Sequence, residues 1–334
     1  MRVIRVHAPG QVSVDQAPDP VPGPRDVVVR VHACGVCGTD LGYVSRGGLA
    51  GPGEEPMALG HEVSGIVESI GEAITTIKTG DRVVVHPGDE RLGRIGNGAP
   101  EGGLADLLLV REAEGRLLHL PDEVDLTLAA LTEPVAVGMH AAERLDLGPG
   151  DTAVVMGCGP VGMAAVAALL DRGLRSVVAV DPGAKRREIA LALGAEAALD
   201  PTQPGLWARL VDIHGAHATL TASPASTGYV EASGSADVLT HIVGNAAPRA
   251  RISIPAVHMA DVPVSILLVM MKELELRGAF EYPDRFEAAF DLLRRRDLSP
   301  MLTDLLTLDE VAARLTDPAG MRAAGKTLAI LGER

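Results

Sequence analysis

The segment Ala153-Val154-Val155-Met156-Gly157-Cys158-Gly159-Pro160-Val161-Gly162, which runs straight into an Ala/Leu-rich stretch, constrains the fold more than any other part of the chain. It reads as strand, G-x-G-x-x-G turn and helix, the context in which this spacing carries a dinucleotide. Gly157 permits the tight turn, Gly159 lets the backbone approach a pyrophosphate, and Gly162 allows close packing of helix on strand. Pro160 and Val161 open a helix whose free N–H groups face the phosphates. A second strand, Val177-Val178-Ala179-Val180, ends at Asp181, 19 residues after Gly162. A carboxylate there accepts from a ribose 2′-hydroxyl and repels a 2′-phosphate, so NAD is expected in preference to NADP. Lys185, Arg186 and Arg187 follow closely. A basic group at this strand end could accommodate a 2′-phosphate, and Arg186 could equally stack on adenine or touch the ribose.

The texture on either side of this turn differs. Up to about Leu120, short β-branched runs (Val27–Val31, Gly65–Ile70, Arg82–Val85) alternate with Gly, Pro and Asp punctuation, a mostly antiparallel β pattern. From about Leu147, strand and helix alternate as βαβ units require, with strands expected at Ser176–Val180, Ala197–Leu199, Thr219–Thr221, Tyr229–Ala232 and Arg251–Pro255. Beyond Arg277 come amphipathic helices at Pro283–Arg295 and around Leu308–Leu315, and a closing strand at Thr327–Leu331. The architecture expected is a β-rich domain interrupted by a parallel α/β domain.

Composition narrows the function. The 334 residues carry 47% hydrophobic and 22% charged side chains, enough for two ordinary domains. A formal charge of −14, with no basic cluster beyond runs such as Arg294-Arg295-Arg296, argues against a nucleic-acid partner. Three cysteines, Cys34, Cys37 and Cys158, make no disulfide framework and suit a reducing, cytoplasmic setting. Met1-Arg2-Val3-Ile4-Arg5 lacks the apolar core of an export signal. The uncharged stretch Thr152–Leu170 is long enough to raise a membrane helix, but its glycines and Pro160 fit strand, turn and helix better, so no membrane partner is expected.

Metal chemistry is suggested by Cys37 followed 24 residues later by His61-Glu62. Zinc takes thiolate, imidazole and carboxylate ligands, and catalytic sites use three while leaving a position open. A Cys34/Cys37 pair would be half of a structural site with no second pair to complete it. A buried cysteine beside a satisfied histidine is the plainer alternative.

Gly60-His61-Glu62, with Gly65, Gly71 and Ile74, resembles the signature of zinc-dependent medium-chain alcohol dehydrogenases, and the resemblance extends over essentially the whole chain. It implies an α/β protein: a GroES-like β-rich catalytic domain (1–136 and 279–334) and a doubly wound, parallel-sheet Rossmann coenzyme domain (137–278), with the active site in the cleft between them. Glu133-Pro134 through His140-Ala141 is similar to the polyol, sorbitol and butanediol branch, where the glutamate lies near the metal, bound directly or through water. The resemblance makes Cys37 and His61 zinc ligands, and Glu62 and Glu133 carboxylates that bind or exchange at zinc. Asp40 would orient His61, and Thr39 would take the substrate hydroxyl proton. Asp40 as a helix cap and Thr39 as a backbone partner are the plainer roles. His140 is expected to pack at the domain junction.

Two departures from the family matter. His86-Pro87-Gly88-Asp89-Glu90 through Gly102-Gly103 carries no cysteine, where many relatives hold a second, structural zinc. One catalytic zinc per chain is therefore expected, with that lobe trimmed to a loop and a homodimer or homotetramer as the assembly. Gly42 stands where relatives often place a proton-relaying histidine, and Tyr43 beside it would shape the pocket or pack as an aromatic. The activity implied is hydride transfer between NAD and a secondary alcohol or ketone: a polyol, a diol or a cyclic alcohol. The competing readings are a zinc-free quinone or enoyl reductase of the same fold, which would lack Cys37, His61 and Glu62, and a nucleotide-binding protein without turnover.

Overall fold

A computed structural model describes residues 1–88, 93–220, 222–317 and 324–332. In chain order the elements are β1 (Arg2–Ala8), β2 (Gln11–Gln16), β3 (Val27–Gly35), α1 (Gly38–Arg46), β4 (Met57–Ala58), β5 (Glu62–Ile70), β6 (Arg82–Val85), β7 (Leu107–Val110) and β8 (Leu117–His119). There follow α2 (Leu126–Ala129), α3 (Thr132–Leu145), β9 (Thr152–Met156), α4 (Pro160–Asp171), β10 (Ser176–Val180), α5 (Ala184–Ala192), β11 (Ala197–Leu199), α6 (Leu206–His214) and β12 (Gly228–Glu231). The rest are α7 (Ala236–Asn245), β13 (Arg251–Ile254), α8 (Ile266–Lys272), β14 (Glu275–Gly278), α9 (Ala288–Arg295), β15 (Leu302–Leu306), α10 (Leu308–Leu315) and β16 (Lys326–Ile330).

The chain divides into two compact units, Met1–Glu133 with Leu302–Arg334, and Pro134–Met301. The return to the first unit falls at Leu302, later than the 279 expected. The reason is packing: α9 lies against α4, and Arg295 forms a two-pronged ion pair with Asp171 at 2.7 and 3.1 Å.

In the first unit, β15-β16-β3-β5-β6-β8 form a mostly antiparallel sheet with β7 also on β3, and β2-β1-β4 form a smaller one. The valines of β3 and β5 bury both faces of the larger sheet's centre, and Val311 and Leu315 of α10 close the same core. Thr307 and Glu310 exchange capping hydrogen bonds at the start of α10, which begins and ends where the apolar periodicity places it.

In the second unit, β11-β10-β9-β12-β13-β14 form a wholly parallel sheet. β9 and β10 are buried throughout, as strands covered on both faces must be, and α4 buries Gly162 through Leu169. The order is that of a doubly wound dinucleotide fold, three strands on each side of the β9–β12 switch.

Two expected elements differ. Of the strand expected at Thr219–Thr221, Thr219 and Leu220 instead sit in a loop closed by His217 N–H on Ser223 O and an Ala216–Pro224 bridge, and Thr221 lies outside the described residues. The helix expected from Pro283 begins at Ala288, because Ala288 and Ala289 donate three residues back, to Arg285 and Phe286, in tight turns. Among the described residues, no helix is long and apolar enough to cross a membrane.

Candidate metal and dinucleotide sites

The metal candidates come together entirely within the first unit. Cys37 caps α1, and the Asp40 side chain turns back to accept its N–H at 2.8 Å. His61 and Glu62 enter β5 after Gly60, whose φ of +93° and crowding against Leu104 N and Cys34 Sγ, 2.6 and 2.7 Å from where a Cβ would lie, exclude any other residue. β3 pairs with β5 so that Gly35 stands opposite Glu62. A Cβ on Gly35 would fall 1.8 Å from Glu62 Oε2 and 2.8 Å from Lys326 Cε, so the missing side chain makes the space these two occupy.

The donor atoms of Cys37, His61 and Glu62 lie within 4.8 Å of one another. His61 Nδ1, Glu62 Oε2 and Asp40 Oδ1 are buried with no hydrogen-bond partner, a costly arrangement unless something else meets them. Thiol, imidazole and carboxylate in one buried cluster fit zinc. The electrostatics agree. Burial pulls the His61 imidazole down, but Asp40, Cys37 and Glu133 outweigh it and raise its pKa to about 10, so the cluster favours positive charge at its centre. Asp40 both caps α1 and faces His61, its Oδ1 3.8 Å from His61 Nδ1, too long for a hydrogen bond. Glu133, in the first turn of α3, is buried and acts on His61 and Lys326 by charge, but stands outside the three-residue cluster. Thr39 is exposed on the first turn of α1. Burial, then Asp40 and Glu62, push the Cys34 thiol well up, so it stays protonated and packs against Gly60 and Gly103.

Lys326 is the residue that sequence reasoning missed. It starts β16, which pairs with β3, and its ammonium forms a buried ion pair with Glu62 Oε1. Burial lowers the Lys326 pKa, but Glu62, Cys37 and Glu133 more than offset that and hold it above its ordinary value. Nothing in a lysine flanking an apolar run marks it as a partner for a glutamate 264 residues away.

Gly96 packs on Gly60 next to this site, where a Cβ on it would fall 2.1 Å from Gly60 O. Buried Arg116 donates to Pro87 O and Gly93 O, both at 3.3 Å, and Ile95 N–H also meets Pro87 O. Asp89 and Glu90 lie outside the described residues. Tyr43 Oη donates to Asn97 Oδ1 at 3.0 Å, tying α1 to this loop. The Arg46 guanidinium stacks 5.4 Å from the Tyr43 ring centre and lies over Gly42, 3.2 Å from where its Cβ would be.

The dinucleotide candidates come together in the second unit. Gly157 has φ +101°, and a Cβ there would meet the Ala232 and Ser233 backbone at 2.7 Å, while one on Gly162 would meet Gly157 O at 1.9 Å. Gly159 caps α4 with open space beside it, and Pro160 and Val161 form the first turn. Asp181 is buried at the end of β10 and accepts from Cys158 N (2.8 Å) and Gly183 N (2.7 Å). Arg186 Nη1 is 3.8 Å from Asp181 Oδ2, whereas Arg187 is tied to Asp181 O and Pro182 O. A crevice of about 620 Å³ opens here, lined by Gly157, Gly159, Asp181 and Arg186 and also by Trp207 and His241. The last two escaped the sequence reading because α6 and α7 reach the crevice only once the sheet is assembled.

Comparison with known proteins agrees with this geometry. Residues 23–122 match the model of the alcohol dehydrogenase GroES-like domain, and residues 160–295 that of the zinc-binding dehydrogenases. Human sorbitol dehydrogenase is 30% identical over 91% of this chain and 89% of its own. The (R,R)-butanediol dehydrogenase of Neisseria gonorrhoeae is 29% identical over 94% of each. Among solved structures, 2R,3R-butanediol dehydrogenase from Bacillus subtilis superposes with a TM-score of 0.86 at 26% identity, covering 98% of this chain and 99% of that one. A chain from Sinorhizobium meliloti described as a zinc-binding dehydrogenase and bound to NADP gives 0.87 at 26%, covering 98% of both.

Proposed function

The chain belongs to the zinc-binding dehydrogenases of the alcohol dehydrogenase family, and from that membership we propose that it oxidises a vicinal diol or sugar alcohol at a secondary carbon with NAD as hydride acceptor. The observation that carries this reading is the buried convergence of Cys37, His61 and Glu62 with unpartnered polar atoms at its centre. Zinc held there would supply Lewis-acid polarisation of an alcohol hydroxyl, and a bound nicotinamide would supply the hydride acceptor. One zinc per chain is the reading, since no cysteine lies between His86 and Gly103.

The protein's own work is positional. Cys37 and His61 would hold the metal. Glu62 stands at the same centre, and Glu133, whose charge acts on His61, is the carboxylate that would exchange with it. Asp40 holds α1 and faces His61 with its second oxygen. Thr39 Oγ1 accepts the substrate hydroxyl proton and passes it to water, since Gly42 offers no imidazole. Preference for NAD rests on the Asp181 carboxylate at the crevice, which repels a 2′-phosphate. Arg186 lies beside it as the opposing charge, and the S. meliloti relative binds NADP, so the preference is a matter for kinetics.

Self-association through the edge of the parallel sheet is part of the proposal. β14 is the outermost strand, and α8 before it exposes Ile266, Leu267, Met270 and Met271. Antiparallel pairing of β14 with its copy about Leu276 would set Glu275 opposite Arg277 twice over, a self-complementary charge pattern. Three cysteines outside any disulfide support a reducing cytoplasmic setting.

The test is metal analysis of the purified protein, then NAD and NADP reduction with 2,3-butanediol, sorbitol and xylitol, for wild type and Cys37→Ser. Loss of zinc and activity together is expected of the variant. A metal-free Cys37→Ser protein that still turns over would sink the proposal.

A further inference from the structure

Glu231 closes β12 beside Met156 of β9 and is fully buried. A buried carboxylate needs donors. Glu231 Oε1 accepts from Ser233 N (2.9 Å), Gly234 N (3.1 Å) and Ser233 Oγ, and Oε2 accepts from His258 Nε2 at 2.8 Å. The turn so held, Ala232-Ser233-Gly234, walls the crevice: Ala232 and Ser233 line it and press on Gly157.

His258 belongs to the segment 255–264 after β13, which contains no helix or strand. Its imidazole is nearly buried, with 12% of the side chain exposed, while its neighbours Val257 and Met259 are 67% and 81% exposed. Val257 O lies against Gly234, 3.3 Å from where a Cβ would stand. The far end of the segment is held by Thr240 Oγ1 on Pro263 O and by packing of Val262 and Val264, while His258 ties its near end to the turn beside the dinucleotide glycines. In a sheet of this order the β9–β11 half takes the adenosine, as Asp181 on β10 indicates, and the carboxyl ends of β12 and β13 take the other nucleotide.

We propose that His258 is a positioning residue for the nicotinamide half of the cofactor: its hydrogen bond to Glu231 fixes residues 257–259 at the carboxyl ends of β12 and β13, where Val257 and Met259 receive the nicotinamide ring. The inference rests on the cofactor reading of the crevice. It assigns His258 no chemistry; the residue acts through the segment it holds.

The experiment compares two probes on the full chain, NADH and ADP-ribose, the second lacking only the nicotinamide ring. Affinities come from calorimetry and from quenching of Trp207, the one tryptophan, which lines the crevice. His258→Ala should bind NADH about tenfold more weakly and ADP-ribose within twofold of wild type. His258→Gln, which keeps an N–H for Glu231, should recover most of the loss. Equal losses for the two probes, or none for either, overturn the proposal. If the alanine variant does not fold, His258→Asn, too short to span to Glu231, decides by the same comparison. Wild type that binds neither probe would remove the cofactor reading and this one together; wild type that binds both, with unchanged variants, removes this one alone.

Discussion

Lys326 Nζ, at the start of β16, is ion-paired with Glu62 Oε1 beside Cys37 and His61, residues far earlier in the chain, and both side chains are almost wholly buried. Removing one partner of a buried pair leaves an uncompensated charge. Lys326→Met should therefore lower stability by about 3–5 kcal/mol, read by urea denaturation. Lys326→Met combined with Glu62→Gln should recover most of it. A double variant no better than the single would show that Lys326 matters for reasons other than this pair.

Asp181 combines two tasks, anchoring Cys158 N and Gly183 N and presenting its charge at the crevice. Asp181→Ser should raise the ratio of kcat/KM for NADP to that for NAD by about tenfold or more, with NAD activity falling as the backbone anchors weaken. An unchanged ratio would remove Asp181 as the discriminating group.

Arg116 holds the segment after β6 through Pro87 O and Gly93 O. Arg116→Met takes the side-chain donor from Gly93 O and leaves Pro87 O with Ile95 N–H alone, at a cost of about 1–3 kcal/mol, and should make the 86–98 segment the first cleaved in limited proteolysis. Cleavage elsewhere at wild-type rate would argue against the clamp.

His214 is buried between Ser176 Oγ (2.9 Å) and Ser226 Oγ (2.7 Å), with Glu196 and Arg175 the charges that act on it. Burial lowers its pKa below 6.5, with Glu196 raising and Arg175 lowering it further. The unfolded chain then binds the proton more tightly than the folded one, so His214 costs stability increasingly as pH falls below about 6.5 and nothing above it. His214→Gln should flatten the acid limb of the stability curve relative to wild type. Parallel curves from pH 8 to 5 would contradict this.

The edge of the parallel sheet makes the assembly testable. A carboxylate on the exposed face of α8, as in Met271→Asp, should shift the protein toward monomer in light scattering while leaving its far-UV spectrum unchanged. A wild-type protein that is already monomeric would end this reading.

The chain's own order announced much of this. Gly157-Cys158-Gly159-Pro160-Val161-Gly162 names its turn locally, because Gly157 and Gly162 each answer a clash with nearby backbone, and Gly159 leaves the open space a phosphate needs. Cys37 and His61-Glu62 were likewise legible, since zinc chemistry restricts donor types and β3 pairing on β5 is a short-range consequence of two valine-rich runs. The start of α9 was misplaced because apolar periodicity persists through tight turns that form no α-helix.

What tertiary structure alone decided involves charges and contacts between distant segments. Lys326 reaches Glu62, Arg116 fastens Pro87 and Gly93, His258 ties itself to Glu231, and Trp207 lines the crevice. A sequence fixes which groups can pair. Which ones do is set by strand order and by burial, because the demand that a buried charge be satisfied arises only once the sheet has closed around it.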